Sequence, residues 1–292
     1  MGTLVTGIKQ PIIYYDVELY KACGLRLVAP NIERLEGLRA NWALFLPKRI
    51  YSLQINLQIM PKITREKFKT LHNVFDAFTE RNIFKLISQG YFDGLESPIF
   101  IGKEANIFTA LKGKKRVILK IYRLQTCDFN RMYDYIKYDP RFPNVRKQRR
   151  KTIFAWAQRE YRNLLKARDA GIRVPTPINC VHNLLVMEFI GDEEPAPKIK
   201  DAIPKNPEKF FKETIAGVRK LYKAGLVHAD LSHFNILNYK EKPVFIDMSQ
   251  ATPLEDPNAM DYLERDIKNL CNFFKKTGVK AKSEDIMKKI MR

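Results

Sequence analysis

The sequence predicts an α+β fold in two lobes. Three observations point there. Strand-like runs joined by glycine- and lysine-containing turns crowd residues 99–122. One long helical pattern follows at 152–170, and a second group of strands comes after it. From about residue 208 the patterns become mainly helical. Strands first and helices later separate into two layers rather than alternating as βαβ units.

Taken in order, Leu71, Val74, Phe75, Phe78, Ile83, Leu86 and Ile87 suit one or two amphipathic helices between Lys67 and Gly90. Ile99–Ile101 and Ala105–Ala110 flank the turn Gly102-Lys103-Glu104, and Val117–Tyr122 follows Lys112-Gly113-Lys114-Lys115, a suitable hairpin connection. Thr152 to Ala170 reads as a helix with Thr152 as its N-cap and Gly171 just past its end. Val174–Val181 and Leu184–Phe189 read as strands. Pro204 and Pro207 precede a helix from Glu208 to Ala224, which Gly225 ends. Asn235–Tyr239 and Pro243–Asp247 form a strand pair around Lys240-Glu241-Lys242, and Tyr262–Lys276 is the last clear helix.

With 292 residues, 45% of them hydrophobic and 29% charged, the chain can bury a substantial core. It has no run of about 18 apolar residues, so no membrane contact is expected. The N-terminus lacks a charged segment leading into an apolar one, which argues against export. Cys23, Cys127, Cys180 and Cys271 are scattered with no CxxC pair, which fits a reducing cytoplasm. Residues 1–60 differ from the rest and read either as an accessory extension or as residues upstream of a start at Met60. The expected division is 1–60 as that extension, 61–95 as a helical segment, 96–190 as one lobe and 191–292 as the other. The formal charge of +20 favours contact with polyanions such as nucleic acid or nucleotides. The densest basic run, Arg146-Lys147-Gln148-Arg149-Arg150-Lys151, suits such a contact or a solvated loop.

The chemistry is concentrated in L-V-H-A-D-L-S-H-F-N-I-L, residues 226–237. His228, Asp230 and Asn235 have the H-x-D-x-x-x-x-N spacing of a kinase catalytic loop, where an Asp serves the attacking hydroxyl and an Asn reaches magnesium. Alone that pattern is weak. A short hairpin later, Phe245-Ile246-Asp247 sets a carboxylate at a strand end, so Asn235 and Asp247 offer oxygen ligands to a hard cation. Upstream, Lys120 lies between Leu119 and Ile121 in an apolar strand, a costly place unless it meets an anion. Glu160, mid-helix, is the candidate partner of Lys120. The plainer alternatives are an edge-strand lysine that snorkels and a surface glutamate among arginines. Several parts of an ordinary protein kinase are missing. No G-x-G-x-x-G precedes the lysine strand, Asp247-Met248-Ser249-Gln250 stands where D-F-G would, and no A-P-E follows. The stretch from Asp247 to Arg292 is too short for an activation loop and a helical peptide-docking region. Ser232 occupies the place of the lysine that ordinary kinases carry near the γ-phosphate.

These departures form a pattern of their own. The sequence resembles the RIO family of atypical serine/threonine kinases, most closely its first (Rio one) subfamily, over about residues 71–277. The resemblance is carried by G-K-E-A-N-I-F at 102–108, I-L-K-I-Y at 118–122, W-A-Q-R-E-Y-R-N-L at 156–164 and L-V-M-E-F-I-G at 185–191. L-V-H-A-D-L-S-H-F-N-I-L at 226–237, I-D-M-S-Q at 246–250 and Y-L-E-R-D-I-K-N-L at 262–270 complete it. It implies a trimmed, two-lobed kinase-like fold preceded by helices. One lobe would hold an antiparallel sheet and a helix, and the other would be mainly helical. It also implies ATP with Mg2+, a protein Ser/Thr acceptor or the chain itself as acceptor, and a role in maturing the small ribosomal subunit, with its precursor or rRNA as partner.

By position, the resemblance implies that Lys120 binds phosphate with Glu160 as its partner. Gly102 and Lys103 would lie at the phosphate loop, and the backbone of Glu188 and Ile190 would face adenine. Asp230 would be the catalytic base, and Asn235 and Asp247 the metal ligands. Asp247 would also accept phosphate itself, as an aspartyl-phosphate, with ATP hydrolysis as an accompanying activity. Two departures stand out. Phe100-Ile101 replaces the usual Ser-Thr before G-K-E-A, leaving backbone N–H groups and Lys103 for the phosphate. His233 replaces the usual glutamate beside Asp230. Two other readings compete with the kinase. One is a basic pre-ribosome-binding factor that uses nucleotide only as a conformational ligand. The other is a small-molecule phosphotransferase of the same fold.

Overall fold

The structure, a computed structural model, describes residues 75–292. The expected extension over 1–60, the start at Met60 and the placing of Leu71 and Val74 on the first helix all lie outside the described residues.

Helix α1, Ala77–Ser88, begins where the Asp76 carboxylate accepts from the Phe78 and Thr79 amides. It buries Ile83 and Leu86 against the sheet that follows and stops at Gly90, at φ 74°. The sheet is wholly antiparallel. Its strands are β1 (Gly94–Ile101), β2 (Ala105–Lys112), β3 (Lys115–Tyr122), β4 (Pro177–Val181) and β5 (Leu184–Glu188), in the spatial order β1-β2-β3-β5-β4. Strand β1 starts earlier than the apolar run at Ile99 suggests. It is an edge strand, so Pro98 removes no central hydrogen bond, and the ladder is irregular around that residue. Strand β3 is buried on both faces. Val117, Leu119 and Ile121 enter the core with α1, while the alternate residues Ile118 and Lys120 face the opposite side of the sheet, where the cleft lies.

Between β3 and the next long helix lies α2, Phe129–Ile136, which periodicity did not reveal. Eight residues are too few for a clear pattern. Helix α3 runs Arg149–Asp169, so Thr152 is not its N-cap. Gln148 holds that position, and Thr152 is buried inside the helix with its hydroxyl unpartnered. Three cations in a first turn oppose the helix dipole, which makes this start look like a loop. Arg149 offsets the penalty by donating to the carbonyls of Gln125 and Cys127, with its guanidinium 4.5 Å from the centre of the Phe129 ring.

The second lobe is built on α4 (Pro207–Lys223), α5 (Ala259–Lys275) and α6 (Ser283–Met291), packed through Phe210, Val218, Leu221, Leu270, Phe274 and Ile290. Two small antiparallel pairs frame its loops: β6 (Leu226–Val227) with β9 (Thr252–Pro253), and β7 (Ile236–Tyr239) with β8 (Lys242–Phe245). The β7–β8 turn places Lys240 and Glu241 at positive φ, 53° and 61°, with no glycine to ease it. Asn235 and Asp247 fall just outside these strands rather than within them, Asp247 at φ 60°. Among the described residues no helix is long and apolar enough to cross a membrane.

Candidate active site

A cavity of about 710 Å3 opens between the sheet and the β7–β8 hairpin. Its walls are mostly apolar, with Ile107, Ile118, Met187, Ile190, Leu237 and Ile246 among them; Lys120, Glu160, Asn235 and Asp247 line it too, with Lys198, Lys200, Asp201, Glu188 and Glu194 as its other charged residues. That size and composition suit a nucleotide.

Lys120 is 4% exposed and Glu160 1%. The Lys120 ammonium donates to Glu160 Oε1 and to Asp247 Oδ1, both at 2.9 Å. Neither the snorkelling lysine nor the surface glutamate survives this burial. Burial pulls the Lys120 pKa down, but the Asp247 and Glu160 carboxylates override it and hold the ammonium charged. The Glu160 carboxyl is pushed up by burial against the opposing Lys120 charge, and Glu160 Oε2 accepts from the Tyr122 hydroxyl. Burial would also raise Asp247, yet Lys120 and the Ser249 hydroxyl, 2.7 Å from Oδ1, hold it at about 2. The Asp247 side chain is 43% exposed toward the cleft. Both of its protein donors meet Oδ1, and Oδ2 makes no hydrogen bond among the described residues.

Asp230 differs. Burial first, and the Asp247 charge second, raise its pKa. Asn235 Nδ2 donates to both the Asp230 carbonyl and Asp230 Oδ2 at 2.9 Å, which turns the Asn235 amide oxygen away from Asp230. The His228 Nε2 atom lies 3.1 Å from the Ile246 carbonyl and ties the catalytic loop to the segment carrying Asp247. Burial lowers its pKa to about 4, so the ring is neutral. Asn235 with Asp247 gives an amide and a carboxylate oxygen, a donor set that fits Mg2+. Phosphates and water would complete the coordination, as is usual for this cation.

At the hinge, Glu188 turns its side chain away from the cleft. It meets Arg173 in a two-point ion pair at 2.6 and 2.8 Å and accepts from Thr176. Burial raises this carboxyl, but the Arg173 and Thr176 bonds win and lower it to about 2. The Glu188 amide donates to the Thr176 carbonyl and the Ile190 carbonyl accepts from the Ala196 amide, while the Ile190 N–H makes no hydrogen bond among the described residues.

A family model described as the RIO domain matches residues 106–287. The chain belongs to the RIO family. The RIO-type serine/threonine-protein kinase Rio1 of Haloferax volcanii is 39% identical over 76% of this chain and 77% of its own length. The kinase of the same name from Methanocaldococcus jannaschii is 41% identical over 77% and 78%. A crystal structure of the Rio2 kinase-ADP/Mg2+-phosphoaspartate complex from Chaetomium thermophilum superposes with a TM-score of 0.55 at 23% identity, covering 70% of this chain and 64% of that one, a likeness of fold.

Within this RIO fold the residues singled out from sequence do not all meet. Lys120, Glu160, Glu188, Ile190, Asn235 and Asp247 line the one cavity, and Asp230 joins them through Asn235. Gly102 and Lys103 do not line it. They sit in the β1–β2 turn, where the Gly102 amide donates to the Ala105 carbonyl. Arg123 and Thr126 donate to the carbonyls of Gly102 and Lys103. Phe100 lines the cavity instead, and the edge of its exposed ring lies 2.5 Å from where a Cβ on Gly102 would stand.

Sequence reasoning missed the supports. Asp266 accepts from the Ala229 and Leu231 amides at 2.9 Å and so grips the backbone on both sides of Asp230, while Arg265 donates to the Ala229 carbonyl. The signal was available: a carboxylate between Leu263 and Leu270 on the apolar stripe of α5. Arg159 and Asn163, one and three residues from Glu160 on α3, donate to the carbonyls of Ser249, Met248 and Ala251. No spacing in the sequence announced those bonds.

Proposed function

We propose that this RIO protein transfers the γ-phosphoryl of ATP, with Asp247 as the first acceptor, and works as a serine/threonine kinase and ATPase on a precursor of the small ribosomal subunit. The observation that carries the reading is the three-way contact of Lys120, Glu160 and Asp247 in the same cleft as the Asn235–Asp230 pair. Two carboxylates lie close together with opposite tendencies. Asp247 stays ionised and Asp230 is readier to take a proton.

Lys120 would hold the phosphates and the Ile190 N–H the adenine. Asn235 and Asp247 would hold Mg2+, which neutralises charge developing on the β- and γ-phosphoryl oxygens. Asp247 Oδ2 attacks the γ-phosphorus, the bond to the β–γ bridging oxygen breaks, and ADP leaves with the electron pair. Water, or a serine or threonine hydroxyl, then attacks the phosphorus of the acyl phosphate. Asp230 takes the proton, and the Asp247 carboxylate is regenerated. The relatives named as serine/threonine kinases and the Rio2 phosphoaspartate complex support the scheme.

Incubation with γ-labelled ATP and magnesium tests it. The intact chain should yield hydroxylamine-labile label and free phosphate. Asp247→Asn should lose both, and Asp230→Ala should keep the label but slow its turnover. Turnover unchanged in folded Asp247→Asn would overturn the assignment. The charge of +20 favours a second reading, a factor that binds rRNA and uses nucleotide only as a conformational ligand. Salt-dependent rRNA binding with no ATP consumed by any variant would select it.

A further inference from the structure

The catalytic loop carries Ser232 where ordinary kinases place a lysine near the γ-phosphate, so a triphosphate in this cleft lacks one cation from that loop. A different segment brings one. Residues 197–199 return from the hinge and lie along β7: Asn238 donates to the Pro197 carbonyl at 2.8 Å, and Ile199 donates to the Ile236 carbonyl at 3.0 Å. Lys198 pairs with Leu237 across this added ladder. Extended backbone alternates its side chains. Ile199 therefore points into the core at 0% exposure, and Lys198 lines the cavity that Lys120, Asn235 and Asp247 also line.

Lys198 is half-buried; its carbonyl accepts from the Asp201 and Ala202 amides, but its ammonium makes no ion pair or hydrogen bond among the described residues. Lys120 is already held by two carboxylates. Lys200, two residues on, is exposed, 3.2 Å from Asp201 and 5.4 Å from the centre of the Phe234 ring. An ammonium partly withdrawn from water, without a partner, on a backbone pinned at both ends, is costly unless an anion comes to it. Burial lowers its pKa, with Asp247 the carboxylate that opposes this most.

We infer that Lys198 contacts the terminal phosphate of the nucleotide and replaces, from the hinge side, the lysine missing from the catalytic loop. The inference rests on the reading of this cavity as the ATP cleft. It makes Lys198 a reader of the third phosphate rather than of the nucleoside.

The test is equilibrium binding to the full chain, by calorimetry, of a β,γ-imido ATP analogue, ADP and adenosine with magnesium. Lys198→Met should weaken the triphosphate about tenfold, the loss of one charge-assisted contact. ADP should weaken less than threefold and adenosine not at all, and Lys198→Arg should recover most of the triphosphate affinity. Equal weakening of all three ligands would mean a structural role and overturn the inference, as would no change in any. A wild-type chain that binds none of them would overturn the ATP-cleft reading together with the inference. Wild-type binding with an indifferent Lys198→Met overturns the inference alone. A melting curve of each variant accompanies the titrations, and Lys198→Gln gives the same comparison if the methionine variant does not fold.

Discussion

Lys120 shows how a single residue can be legible from sequence. A lysine inside an apolar strand has to meet an anion, and it meets two. Glu160→Ala would remove one of them and leave an incompletely paired buried charge. We expect a loss of about 3 kcal/mol in stability, read from urea denaturation, with ADP affinity falling in the same variant. His228 was legible as part of a motif, but its state was not, because burial is not written in spacing. Its folded pKa is about 4 against an ordinary 6.5. The unfolded chain therefore binds the proton first as pH falls. Stability from this residue is complete above 6.5 and declines through the window down to about 4, by about 3 kcal/mol in all. Urea midpoints at pH 7.5 and pH 4.5 should differ less in His228→Gln than in the wild type. Ser249 and Asp266 were illegible in role, since each acts through a backbone or carboxylate that only the fold brings near.

At the scale of elements, the long periodic helices and the alternating strands were readable, and the short or electrostatically atypical ones were not. Helix α2 has eight residues, and α3 begins with three cations, so neither gives the usual signal. What α3 does could not be read at all. Its buried face carries Arg159, Glu160 and Asn163 to three different targets, and so fixes the lysine of one lobe and the 248–251 backbone of the other. Asn163→Leu would strand the Ala251 carbonyl and leave the Met248 carbonyl with only the Ala251 amide as donor. We expect a cost of about 2–4 kcal/mol, and faster amide exchange over 247–252 would show where it falls. The β7–β8 turn gives a prediction of opposite sign. Glu241 at φ 61° holds a conformation that favours glycine, so Glu241→Gly should leave the melting temperature unchanged or slightly higher, despite losing the bond that Glu241 accepts from the Lys205 amide.

For the molecule as a whole, the loudest fact of the sequence is its charge, and the fold distributes part of it. Arg149 is tied to α2 and its preceding loop, but Arg146, Lys147 and Lys151 are exposed. If these three meet RNA phosphates, changing them to glutamine should reduce the slope of log affinity against log salt by about 2–3, measured by filter binding on rRNA. Unchanged slopes would assign that run to solvent. The two lobes were readable as a pattern of strands and helices, but the bond between them was not. Lys120 belongs to the sheet and Asp247 to the segment after β8, so their 2.9 Å contact spans the cleft. It makes loading the cleft an exchange rather than an addition. A metal that binds at Asp247 Oδ1 displaces the ammonium, and a phosphate that takes the place of Asp247 at Lys120 frees that carboxylate. Each ligand frees the residue the other needs, so each should tighten the other by the same factor. Magnesium titrated alone should bind weakly and should gain strongly with ADP present. In Lys120→Met that gain should be smaller, because the phosphates still reach the metal but the carboxylate no longer has an ammonium to release.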